Sequence, residues 1–61
     1  MSKSSREVIK LLENDGWVLS HIRGSHHIYK KEGFIPVTVP HPRRDMPSGT
    51  YNAILKHAGL K

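Results

Sequence analysis

No cysteine occurs anywhere in this chain of 61 residues, so its fold rests on buried side chains and backbone pairing without any covalent brace. At this size folding buries only about 60% of the surface that the unfolded chain exposes, and a stability of only a few kcal/mol is expected where neither disulfide nor metal assists. Disulfides and thiolate metal sites are both excluded. Apolar residues make up 36% of the chain and are spread along it, with one Trp, two Tyr and one Phe. That is compatible with a compact domain and argues against disorder. A single domain over residues 1–61 is expected. No apolar run approaches the roughly 18 residues of a bilayer span, and the segment from Met1 to Arg6 lacks the apolar core of a signal peptide. The expected setting is the cytoplasm, with no membrane partner.

Ten Lys and Arg against five Asp and Glu leave a formal charge of +5. A basic folded surface attracts phosphates through counterion release, which makes nucleic acid the first partner to consider, ahead of an acidic protein or an anionic membrane. Five histidines add side chains that exchange protons near neutral pH.

Ser4 followed by Glu7 is a capping-box pattern that starts a helix. Val8, Leu11 and Leu12 then form one apolar stripe, with Arg6, Lys10 and Glu13 toward solvent, and Asn14-Asp15-Gly16 ends the element. Trp17 to Ile22 is rich in strand formers, and Arg23-Gly24-Ser25 is turn chemistry. His26–Lys31 and Phe34–Val39 read as a hairpin closed by Glu32-Gly33. With a two-residue loop, Ile28 stands opposite Val37 and His27 opposite Thr38. Side chains alternate along a strand, so this register sends Ile28, Ile35, Val37 and Val39 to the buried face. His27, Tyr29 and Thr38 go to the open face, while His26 points toward the helices. Pro40 to Pro47, with three prolines, is a basic loop. A second helix capped by Ser48 or Thr50 carries Tyr51, Ile54, Leu55 and Ala58 on one stripe and ends at Gly59. The expected fold is α+β, in the order α-β-β-β-α, with two helices on one face of a three-stranded antiparallel sheet.

This order resembles the double-stranded-RNA-binding-domain architecture. Within it, Asp15-Gly16-Trp17, Gly24-Ser25-His26-His27, Val37-Thr38-Val39-Pro40-His41-Pro42, Gly49-Thr50 and the run from Ala53 to Leu60 resemble, in order and spacing, the HicA family of toxin mRNA interferases. The likeness extends over about residues 6–60. Tyr51 stands where an aliphatic residue is more usual, and Arg43 to Pro47 replaces a loop that varies in the family. The resemblance implies the toxin of a type II toxin–antitoxin system, a ribosome-independent endoribonuclease that cuts mRNA and is neutralised by a HicB antitoxin. It also implies a catalytic histidine in the Gly-Ser-x-His segment, which here is His27. His26 falls where the family tolerates other residues.

The residues themselves suit metal-free RNA cleavage, in which the 2′-OH is the nucleophile, a base takes its proton and an acid protonates the leaving 5′-oxygen. An imidazole serves either role, and such proton transfer contributes about 10²–10⁴-fold in rate. The sequence offers no obvious second group. Tyr29 and Ser25 share the parity of His27 and are candidates to orient substrate. Arg23, Ser25, Lys30, Lys31, Arg43, Arg44 and Lys56 are the RNA-binding candidates, neutralising phosphate charge. His26-His27 has no chelating spacing and no H-E-x-x-H helix occurs, so neither a metal nor another cofactor is expected. His41 between two prolines reads as a loop residue, either near substrate or, more often for such a position, merely exposed, and His57 is accounted for by the helix dipole. The alternative is a non-catalytic RNA-binding module of the same fold, disfavoured by the absence of Lys or Arg from Pro47-Ser48-Gly49-Thr50 at the start of the second helix. A module that meets an acidic protein is a weaker third reading.

Overall fold

The structure is a computed structural model and describes residues 3–61. Its elements run α1 (Ser5–Asn14), β1 (Val18–Arg23), β2 (His26–Lys30), β3 (Val37–Pro40) and α2 (Ser48–His57). The strands form one antiparallel sheet in the order β1-β2-β3. The α+β architecture expected from the sequence is the one observed.

Helix α1 starts where the cap pattern places it. Ser4 is extended and its hydroxyl accepts from Glu7 N at 3.2 Å, satisfying one of the first-turn donors. The helix stops before Gly16, whose φ of +94° is a conformation that glycine adopts without a steric penalty. Its buried residues are Ser5, Val8 and Leu12, whereas Leu11, expected on the same stripe, is an exposed residue. The core sits between the helices and the inner sheet face. It unites Val8 and Leu12 of α1, Trp17, Tyr29 of β2, Val37 and Val39 of β3, Met46, and Ile54 and Ala58 of α2. Helix α2 runs over the expected residues, but Pro47 occupies its N-cap without a side-chain bond and Ser48 is already inside the helix. The helices lie chiefly on β3, so the β1 edge overhangs and Ile22 is 52% exposed.

The β2–β3 register differs from the expected one by a single residue. His27 pairs with Val39, Ile28 with Thr38 and Tyr29 with Val37. The connection is not the two residues Glu32-Gly33 but the six residues 31–36. Phe34 leaves the strand to stack tilted on Trp17, ring centroids 5.5 Å apart, and Pro36 lacks the N–H that a ladder position requires. Because alternation has a period of two, a slip of one moves every β2 side chain to the other face. Tyr29 is therefore core and not a substrate-facing residue, and burial pushes its phenol pKa up. Ile28 and His26 go to the outer face, and His27 turns inward, opposite Val39.

Candidate functional site

Turned inward, His27 lies against His41, which lines a groove at the start of α1, while His27 itself does not line it. Its ring is half-buried, with Nδ1 enclosed and lacking any hydrogen-bond partner. The ring meets His41 edge-on, with centroids 4.8 Å apart and planes at 80°. His41 follows β3 and is anchored at both ends. Its backbone N–H donates to the Ser25 carbonyl at 2.7 Å, and its ring Nδ1 lies 2.7 Å from the Ser5 hydroxyl. Ser5 is also bound to the next part of that loop, since Ser5 N donates to the Arg43 carbonyl and Arg43 N donates to Ser5 Oγ, each at 2.8 Å. A serine that is 1% exposed thereby joins the first turn of α1 to the proline loop, which explains how a polar residue is tolerated in the buried stripe.

The groove has a volume of about 650 Å³ and is lined by Ser4, Ser5, Arg6, His41, Pro42, Arg43, Arg44 and Asp45. Three guanidinium groups against one carboxylate make it an anion-attracting surface. The start of α1 opens on the same groove, and helix N-termini favour negative charge. Burial first, then the charges of His27 and Arg6, hold the His41 pKa below its ordinary value. The unfolded chain binds more protons than the folded chain between the two pKa values. The stabilising contribution of neutral His41 is therefore complete above about pH 6.5 and is lost as pH falls through the folded-state value. The melting midpoint is expected to be lower at pH 5.5 than at pH 7.5, by a smaller difference in His41→Gln, as followed by circular dichroism. An equal pH dependence in both proteins would contradict this assignment.

The sequence-derived candidates fall into separate places. Arg43 and Arg44 line the groove, whereas Ser25 does not and is tied to it only through the carbonyl that accepts from His41 N. Arg23 lies on the outer sheet face with His21, His26, Ile28 and Thr38, around a depression of about 400 Å³. Lys30 lies three residues along β2 from His27, about 10 Å at the rise of a strand, and is exposed. Lys31 is engaged elsewhere, bonded to Asp15 at 2.9 Å and held over the Phe34 ring. That bond keeps the Asp15 carboxyl pKa low. Lys56 is in the last turn of α2 and lines neither depression. Two members of the cluster, Ser5 and Arg6, carry no site signal in the sequence, and His41 reads there as a loop residue either near substrate or merely exposed. The contacts that gather the cluster span 36 and 38 residues. Among the described residues no group of three His, Asp or Glu is placed to hold a metal ion, and no helix is long and apolar enough to cross a membrane.

Comparison with known proteins bears on this arrangement. A family model described as the HicA toxin of bacterial toxin–antitoxin systems matches residues 5–60. Among solved structures, a chain of a toxin–antitoxin complex from Streptococcus pneumoniae superposes with a TM-score of 0.83. It shares 32% sequence identity, over 95% of this chain and 98% of that one. No curated protein sequence matches the chain.

Proposed function

The chain belongs to the HicA toxin family and is a toxin of a bacterial toxin–antitoxin system, and on that premise we propose that it is a metal-independent endoribonuclease that cleaves mRNA and so halts translation. His27 is its general acid or base. The observation that carries this reading is the half-buried imidazole of His27 standing against His41 beside a groove of three arginines. A ring sealed in the core could not exchange protons with a substrate, and a fully solvated one would have no phosphate-binding surface to work with. Arg43 and Arg44, joined by Arg6, neutralise the phosphate and the charge that builds on the pentacoordinate transition state. Ser25 supports the track by holding His41, and Arg23, Lys30, Lys31 and Lys56, away from the groove, contribute through the general positive field.

The neutralising partner is a HicB-type antitoxin, a protein whose binding covers the catalytic groove. The purified chain is expected to cut a long single-stranded RNA in the presence of EDTA. Its expression should arrest growth, and co-expression of the neighbouring gene should relieve the arrest. Activity that disappears in EDTA and returns with a divalent ion would replace the imidazole mechanism with a metal-dependent one. Tight binding of duplex RNA with no cleavage of any RNA would favour the non-catalytic module.

A further inference from the structure

Transesterification of RNA moves two protons, and the reading above names a carrier for one. Resting on that reading, we propose that His41 is the second catalytic residue, taking the proton of the ribose 2′-OH while His27 protonates the departing 5′-oxygen, with Ser5 as the positioning residue that sets the His41 ring.

The geometry supplies each part. The two rings are in edge contact, with centroids 4.8 Å apart, close enough for both to reach the oxygens of one phosphate that approaches alongside them. His41, unlike a free loop residue, is fixed through its backbone to Ser25 and through its ring to Ser5. A serine oxygen has two lone pairs. One accepts Arg43 N–H, and in the proposed state the other accepts His41 Nδ1–H, leaving Nε2 as the atom that gains and loses a proton. A hydroxyl serves this purpose better than a carboxylate, which would favour the charged ring. The titratable and charged groups around His41 are His27 from β2, Arg6 from α1, and Arg43, Arg44 and Asp45 of its own loop. Burial and the neighbouring cations keep His41 in its proton-accepting form at neutral pH. For His27 the enclosed Nδ1 leaves Nε2 as the atom that faces a substrate.

The step balances without another reactant. His41 removes the 2′-OH proton and the 2′-oxygen forms a bond to phosphorus. The P–O5′ bond breaks with its electron pair passing to O5′, which takes the proton from His27. The products are a 2′,3′-cyclic phosphate and a 5′-hydroxyl, with charge transferred from His27 to His41.

The test compares wild type, His27→Ala, His41→Ala, His41→Gln and Ser5→Ala as full chains on a long single-stranded RNA in EDTA, over about pH 5–9. Wild type is expected to show a bell-shaped pH–rate profile and 5′-hydroxyl ends. His41→Ala and His41→Gln should cut about 10²–10⁴-fold more slowly and lose the ascending limb. Ser5→Ala should move that limb to lower pH, because the imidazolium loses its acceptor. His41→Gln within about tenfold of wild type, or 5′-phosphate ends, overturns the proposal. Should the His41 variants fail to fold, proton NMR titration decides, since the His41 midpoint must rise when His27 is replaced by alanine. A midpoint that stays where it was overturns the pairing. Wild type that cuts no RNA removes the nuclease reading itself. Active wild type, inactive His27→Ala and unimpaired His41→Ala together remove only the role of His41.

Discussion

Replacing His27 with alanine is expected to slow RNA cleavage about 10²–10⁴-fold, the span that one positioned acid or base contributes, while the adjacent His26→Ala changes it less than about threefold. The contrast comes from the register. His27 pairs with Val39 and faces the groove side of the sheet, whereas His26 pairs with Pro40 and lies on the outer face with Arg23. Binding of an all-2′-deoxy copy of the substrate should be nearly unchanged in both variants, because the proposed phosphate contacts come from arginines. Stability should also change little in His27→Ala, since the truncation removes a buried nitrogen that has no partner. Initial rates on a labelled single-stranded RNA, binding titrations with the labelled deoxy copy and parallel thermal melts check the three expectations. Equal losses in the two histidine variants would contradict the inward placement of His27.

The second large effect concerns the fold. Trp17 is 2% exposed and joins the core to the 31–36 connection through Phe34. Truncating such a residue to alanine costs about 3–5 kcal/mol, which is comparable to the entire stability expected of a domain this small. At about 4–8 °C per kcal/mol, the melting midpoint of Trp17→Ala falls by at least roughly 12 °C, and much of the chain is unfolded at growth temperature. Trp17→Phe is expected to be far milder. It keeps most of the buried ring and removes an indole N–H that is enclosed without a partner. Thermal denaturation followed by far-ultraviolet circular dichroism separates the two. A Trp17→Ala midpoint within about 4 °C of wild type would show that the indole is not an essential part of the core.

Local chemistry made most of the architecture legible. Ser4 and Gly16 bound α1, Ile54, Leu55 and Ala58 mark the buried side of α2, and Gly59, with φ of +74°, ends it as expected. The strand order was equally readable. The register was not, because Glu32-Gly33 looks like a tight turn and the stacking of Phe34 on Trp17, which lengthens the connection, joins residues far apart in sequence. One residue of slip reversed the faces of His26, His27, Ile28 and Tyr29. The identity of His27 as a candidate came from its Gly-Ser-His-His setting, but its surroundings had to come from tertiary structure. No periodicity links Ser5 or Arg6 to His41.

The bonds from Ser5 to His41 and Arg43 also bear on the moment at which this protein becomes dangerous. A chain still on the ribosome, with β2 exposed and the later loop inside the exit tunnel, carries His27 without His41 and without the arginine cleft. On the proposed chemistry such a chain is harmless to the message that encodes it until the loop has emerged and closed on Ser5.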